Sequence, residues 1–231
     1  VCSSDLAKAA AAGRRFMDDV LWSFHVICEE RTDDAAQLAR AQALEIVKQM
    51  GGREIPESIP KLLRANPFGP VNNMLGPDGE RWVPVHALVP HSCAQSTIDR
   101  VEAVFAQERE DFERLGIHTG YLLATVGSSC FVVEPVFFWP DNLEEMHRRS
   151  VEPEHLKRLR LREAHPEARA KVTAVKDMLS DVFRDLGAVH LQVGKSYHYG
   201  TGIKPEALEL MRALKLQLDP ENRMNPGCLG L

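Results

Sequence analysis

Ile117-His-Thr-Gly-Tyr-Leu-Leu-Ala-Thr-Val-Gly127 and Ser129-Cys-Phe-Val-Val-Glu-Pro-Val-Phe-Phe-Trp139 are two runs rich in β-branched and aromatic residues, meeting near Gly127-Ser128. Two such runs around a glycine turn predict a β-hairpin. Working outward, a helical stripe flanks the hairpin on each side in sequence. Upstream, residues 94–115 put Ile98, Val101, Phe105, Phe112 and Leu115 on one face. Downstream, residues 155–186 read as a helix, most clearly from Pro166 at an N1-like position. Val172, Val175, Leu179, Val182 and Leu186 form its apolar face and Gly187 stops it. Outside these helices lie two more strand-like runs, Arg81-Trp-Val-Pro-Val-His-Ala-Leu-Val89 and residues 188–197.

The order from 81 to 197 is β-α-β-β-α-β, the ferredoxin-like order. The predicted class is therefore α+β: an antiparallel sheet with its helices on one face and the other face free. Residues 20–30 are rich in strand formers. Residues 33–50 read as a helix with Asp33 or Asp34 as N-cap and Gly51-Gly52 as stop. This strand-helix pair is expected to extend the same sheet. Residues 53–80 hold Pro56, Pro60, Pro67, Pro70 and Pro77, a long irregular connection of the kind that covers a functional surface. A last helix runs from Pro205 to just before Asp219-Pro220.

The chain has 231 residues, 44% hydrophobic and 26% charged, enough for a sizeable core without metals or disulfides. Its formal net charge of −5 argues against nucleic acid as the main partner, since phosphate binding needs a concentrated basic surface. No apolar run approaches the roughly 20 residues of a membrane span. The first residues show no basic and apolar signal regions. Cys2, Cys28, Cys93, Cys130 and Cys228 are scattered, with no CxxC spacing, and read as thiols in a reducing compartment. The expected location is cytoplasmic or peripheral to an inner membrane. The chain starts at Val1 and reads as the C-terminal part of a longer protein.

The period of two splits each strand into faces. Val83 and Val85, Phe131, Val133 and Phe137, and Leu191 and Val193 suit the side under the helices. The reverse side collects Trp82, His86 and Leu88, then Val132, Glu134 and Phe138, then His190, Gln192 and Ser196. With the first strand between the third and fourth, His86 falls beside Glu134 on one side and His190 or Gln192 on the other. Aromatics mixed with ionisable groups suit a surface that covers a planar ligand. A carboxylate at Glu134, among Val132, Val133, Pro135 and Val136, is costly unless paired or facing a cavity. Lys195, Tyr197, His198 and Tyr199 form a polar cluster suited to a carboxylate. No metal-ligand spacing is visible, and no metal is expected.

The tail, Leu210-Met-Arg-Ala-Leu-Lys-Leu-Gln-Leu-Asp-Pro-Glu-Asn-Arg-Met-Asn-Pro-Gly227, resembles the closing helix and turn of FAD-linked oxidases. This is the C-terminal domain of the vanillyl-alcohol oxidase superfamily, which includes D-lactate and glycolate dehydrogenases. Glu134-Pro-Val-Phe-Phe-Trp-Pro140 and Val189-His-Leu-Gln-Val-Gly-Lys-Ser-Tyr197 are similar to the same type of domain. The resemblance implies a separate N-terminal domain that binds FAD, with this domain as a cap whose sheet covers the flavin and shapes the substrate site. It implies that Asn225, Pro226 and Gly227 return the chain to the FAD domain. The metal-binding histidine motifs of many 2-hydroxy-acid dehydrogenases are absent: the corresponding strands read Phe131-Val-Val-Glu-Pro-Val-Phe-Phe138 and Gln192-Val-Gly194. The Tyr-Arg pair of the phenol-oxidising relatives is absent too.

These readings combine into one expectation: the substrate-covering part of an FAD-dependent oxidoreductase that oxidises an alcohol or 2-hydroxy acid by hydride transfer to flavin. His86 or His190 is the expected base and Glu134 orients a neighbour. Gln192, Lys195, Tyr197 and His198 are the expected substrate contacts, and Asn225, Pro226 and Gly227 the cofactor contacts. The partners expected are the N-terminal FAD domain and a small-molecule substrate, with a homodimer left open. The expected division is a linker over 1–19, the cap over 20–204 and a returning tail over 205–231. The alternative is a stand-alone ferredoxin-like binding module without redox activity.

Overall fold

One long, mostly buried strand organises the sheet. In the computed structural model, which describes residues 20–55, 65, 68–192 and 194–231, the chain divides into two compact units, Val1–Gly69 and Pro70–Leu231. The second unit holds the sheet. Its central strand pairs on both edges, and its elements are β1 (Arg81–Pro84), β2 (Ala87–Pro90), α2 (Ala94–Gln107), α3 (Arg109–Leu115), β3 (His118–Val126), β4 (Cys130–Trp139), α4 (Glu145–Ser150), α5 (Pro153–Leu156), α6 (Pro166–Asp185), α7 (Tyr199–Gly202) and α8 (Pro205–Leu218). The first unit holds α1 (Asp33–Gln49), whose N-cap is Thr32 rather than Asp33 or Asp34; the Thr32 hydroxyl accepts from the Ala35 N–H at 3.3 Å.

β3 runs antiparallel along one edge of β4, from His118↔Phe138 to Val126↔Cys130. β1 and β2 run along its other edge in one common register, Trp82↔Phe138 and Leu88↔Val132, so they are a single strand interrupted at Val85-His86. The interruption has a covalent cause. Val85 N–H donates to the Pro135 carbonyl at 3.1 Å, but proline has no N–H to return the bond. Beyond β2, Leu88 and Val189 exchange two backbone bonds of 2.8 and 3.1 Å. Across the sheet the order is last, first, third, second, as the ferredoxin-like pattern predicts.

One side of this sheet carries the core. Val85, Ala87, Val89, Val133, Phe137 and Trp139 pack with Val101, Val104 and Phe105 of α2 and Val172, Val175, Leu179 and Phe183 of α6. Phe137 is fully buried, with Phe105 and Phe112 edge-on at 5.7 and 6.2 Å. Each such side chain contributes about 1.5–3 kcal/mol of burial. On the reverse side, Leu75, Leu143 and Val151 form a small cluster, and Gly76 lies so close to the Phe138 ring that a Cβ there would meet it at 3.1 Å. The irregular segment before β1 thus covers one end of that face.

Three expectations differ from the structure. Residues 20–30 form no strand, and no ladder extends the sheet from them among the described residues. The helix expected over 155–186 starts at Pro166; residues 157–165 are irregular, and the His165 ring caps the helix by accepting from the Ala168 N–H at 3.2 Å. The strand expected over 188–197 is reduced to the bridge at Val189. Among the described residues, no helix is long and apolar enough to cross a membrane.

Candidate active site at the edge of the sheet

The last strand dissolves at the point where side chains take over its ladder. His86, in the break between β1 and β2, presents an N–H and a C=O to the vacated edge. The N–H donates to the Tyr197 phenol oxygen at 3.0 Å. The C=O receives Nδ1 of His190 at 2.7 Å. A backbone edge pairs with strand only while nothing better is offered, and here a phenol and an imidazole replace two ladder bonds.

The His86 ring is held as tightly as its backbone. Its Nε2 lies 2.7 Å from the Leu191 N–H and 3.4 Å from the Gln192 N–H, and its Nδ1 lies 2.7 Å from the Tyr197 hydroxyl. Proton positions follow from the partners. Backbone N–H groups only donate, so Nε2 carries the lone pair. The neutral ring therefore carries its proton on Nδ1 and donates it to Tyr197. A carbonyl only accepts, so His190 carries its proton on Nδ1, leaving Nε2 as a bare acceptor. His190 and Tyr197 stack at 4.0 Å with planes 21° apart, and the His86 ring lies 4.9 Å from Tyr197 and 5.7 Å from His190.

Electrostatics agree with these assignments. Burial, then the neighbouring His190, lowers the His86 pKa, and His86 is only 4% exposed. Burial likewise lowers that of His190; its bond to the His86 carbonyl opposes the shift, and the charge of His198 adds to it. Burial raises the Tyr197 phenol, the His86 bond pulls it back, and the negative charge of Glu134 pushes it up again. Burial raises Glu134 towards its neutral form. Glu134 alternates with Val133 and Pro135, and the common register sets it opposite His86 on the reverse side.

The structure brings His86, His190, Tyr197 and Glu134 together. It scatters the remaining expected contacts around the rim. Gln192, Lys195 and His198 are exposed; His198 Nε2 reaches Asp181 of α6 at 2.9 Å. The tail lies beside the same loop: Leu229 N–H donates to the Gly194 carbonyl at 2.9 Å, and Gly227 faces the Lys195 stem. Asn225, Pro226 and Gly227 are exposed there. Their motif is a backbone device. Asp219 accepts from the N–H groups of Arg223 at 2.8 Å and Met224 at 2.8 Å and pairs with Lys215. These contacts hold its carboxyl down at about 2. Asn222, Asn225 and Gly227 take φ of 50°, 47° and 80°, a region open to asparagine and glycine.

One buried charge was missed in the sequence. Asp141 is 1% exposed and accepts from the Trp139 indole, the Asn142 and His165 N–H groups and both arms of Arg169, all within 3.0 Å. Burial opposes its ionisation, and these donors, Arg169 foremost, outweigh burial and hold the carboxyl far below its ordinary range. It is a structural knot that ties β4 to the start of α6. Among the described residues, no group of three or more His, Cys, Asp or Glu is placed to hold a metal ion.

Comparison with known proteins bears on the tail. Residues 193–229 match the family model of FAD linked oxidases, C-terminal domain. No curated protein matches the sequence. Two solved crystal forms of alkyldihydroxyacetonephosphate synthase are similar at 10% identity, with TM-scores of 0.44 and 0.41; the alignments cover 99% and 96% of this chain and 35% and 34% of theirs. The chain spans about a third of the length of those structures. The matched stretch is the one that winds from the Tyr197 loop to the Asn225-Pro226-Gly227 turn, and over it the chain is similar to the C-terminal domain of FAD linked oxidases.

Proposed function

We propose that this chain forms the substrate side of an FAD-dependent oxidoreductase that oxidises the CH–OH group of an alcohol or 2-hydroxy acid. The observation that carries the reading is the pinned proton of His190. With Nδ1–H committed to the His86 carbonyl, Nε2 is a neutral base with no partner among the described residues. Oxidation of an alcohol needs a group that takes the hydroxyl proton as hydride leaves carbon, and an imidazole kept neutral suits that task. The Tyr197 hydroxyl beside it steadies the oxygen, and Glu134, held towards neutrality, adds a second hydrogen-bonding group. Lys195 on the rim suits the carboxylate of a hydroxy acid.

The residues present fit a flavin's ring rather than its phosphates. The stacked Tyr197–His190 pair suits a planar ring. The sequence has no glycine-rich phosphate loop, so an N-terminal domain is the partner that would hold the nucleotide. When bound, FAD supplies the two-electron acceptor. The chain's own residues bind the substrate oxygen, hold its proton and exclude water from it.

The test uses the full-length flavoprotein under anaerobic conditions, following flavin absorbance while 2-hydroxy acids and primary alcohols are added. Bleaching by a member of either class is expected. A yellow protein that none of them reduces contradicts the substrate class, and a full-length protein that binds no flavin returns the chain to a binding module.

A further inference from the structure

Tyr197 Oη has two acceptor positions and one proton to give. Both acceptor positions are filled by one residue: His86 donates its backbone N–H at 3.0 Å and its ring Nδ1–H at 2.7 Å. The ring cannot turn these roles around. Its Nε2 faces the Leu191 N–H at 2.7 Å, so a proton there would meet another donor. The phenol is left with its own O–H and nothing else to offer.

We propose that His86 is a positioning residue that makes Tyr197 a donor only, so that the ligand group seated on Tyr197 must present an accepting oxygen: a carbonyl, a carboxylate, an alkoxide, or an alcohol oxygen whose own proton points elsewhere. This deepens the site proposed above and rests on that reading for what the ligand is; the proton assignments do not depend on it. The neighbouring His190 has the opposite polarity. Its Nε2 accepts and cannot donate while Nδ1–H holds the His86 carbonyl. The pair therefore reads a polarity across 4.0 Å of stacked rings: an acceptor over Tyr197 and a proton-bearing group over His190. A 2-hydroxy acid carries both on adjacent carbons, whereas an ammonium group offers nothing to Tyr197. The charged and titratable groups around the phenol are His86, His190 and Glu134, with His198 acting on His190. Burial of both imidazoles, which disfavours their cations, keeps the arrangement in its neutral form.

The test is made on the full chain labelled with nitrogen-15 in histidine, using two-bond nitrogen–proton correlations to read each tautomer at pH 7. His86→Asn and His190→Gln assign the two signals. Both rings are expected as neutral Nδ1–H tautomers. A His86 signal with the proton on Nε2, or on both nitrogens, overturns the proposal whatever the protein's activity. A second readout is the ultraviolet titration of the Tyr197 phenol, identified by its loss in Tyr197→Phe. His86→Asn keeps a donor near the Nδ1 position and is expected to leave the titration close to wild type. His86→Leu removes it and is expected to raise the midpoint by about one unit. Equal shifts in the two variants overturn the proposal. If His86→Leu does not fold, the tautomer measurement on the unsubstituted chain decides alone. The ligand half is tested on the flavoprotein with glyoxylate as probe. Tyr197→Phe is expected to weaken binding about tenfold. Unchanged affinity overturns the acceptor rule. Absence of glyoxylate binding in the wild type, with both tautomers as expected, leaves the His86 assignment standing and removes the hydroxy-acid reading.

Discussion

At the scale of single residues, protons distinguish His86 from His190. Both sit in one cluster and both have lowered pKa values, yet only His190 keeps a lone pair that the fold has not used. His190→Gln in the flavoprotein is thus expected to slow flavin reduction by about 100-fold or more with FAD retained, the usual size of a lost general base. The lowered values also fix a pH dependence. His86, His190 and the buried His147 bind protons more readily in the unfolded chain than in the folded one. Below about pH 6.5 the unfolded state therefore takes up protons that the folded state refuses, and stability falls as pH drops through 6.5 towards the folded values. A lower urea midpoint at pH 6.0 than at pH 7.5 is expected, and a flat midpoint would count against burial of the rings. Asp141 has the same sign in a more acidic window. Its depressed carboxyl stabilises the fold above the ordinary carboxylate range, and that stability is lost as pH falls below about 4. Asp141→Ala removes the acceptor of the Trp139 indole and of the His165 and Asn142 N–H groups, while the part-exposed Arg169 keeps Asn142, and it is expected to cost about 1–3 kcal/mol in denaturant unfolding. His86, Glu134 and His190 were legible in the sequence because alternation and strand order are geometric rules. Which nitrogen holds each proton was not legible, since it depends on backbone groups more than 100 positions away. Asp141 was not legible either; an aspartate after Pro140 reads as a turn residue until Arg169 arrives from another element.

Among the elements, the hairpin β3–β4 and the helices α2 and α6 follow their apolar periodicity, and Phe137 is where they meet. Phe137→Ala is expected to destabilise by about 3–5 kcal/mol, whereas Leu122→Ala, at a position 52% exposed on the same hairpin, should stay within about 0.5 kcal/mol. Comparing their melting midpoints checks both. Gly116 ends α3 at φ 65°, a left-handed position that L residues adopt only with strain; Gly116→Ala is expected to cost about 1–2 kcal/mol. The sequence overstated two strands, for different reasons. Residues 20–30 have strand-forming side chains, but propensity alone makes no ladder, and no partner edge pairs with them among the described residues. Residues 188–197 have the alternation of a strand, but His190 and Tyr197 bond the His86 backbone with their side chains and so displace the ladder. The break between β1 and β2 was written in Pro135, whose missing N–H acts on the neighbouring strand rather than its own.

For the molecule as a whole, the ferredoxin-like sheet puts a greasy layer under α2 and α6 and leaves its other side to Glu134, Phe138 and Trp82. The Tyr197 loop and the Asn225-Pro226-Gly227 turn meet through Leu229 and Gly194, so the family segment and the histidine cluster share one corner of the second unit. This convergence of tail and base is what makes a flavoenzyme site the reading with most support. The central claim is that His190 Nε2 is the base of a hydroxyl-oxidising site. Its most direct test is stopped-flow flavin reduction in the full-length protein, wild type against His190→Gln, across pH 5 to 9 with a 2-hydroxy acid that bleaches the wild type. The account predicts that the rate falls on the acid side with an apparent pKa below 6.5 and that this limb disappears, with about a hundredfold loss of rate, in the variant. A variant that retains both the rate and the acid limb would contradict it.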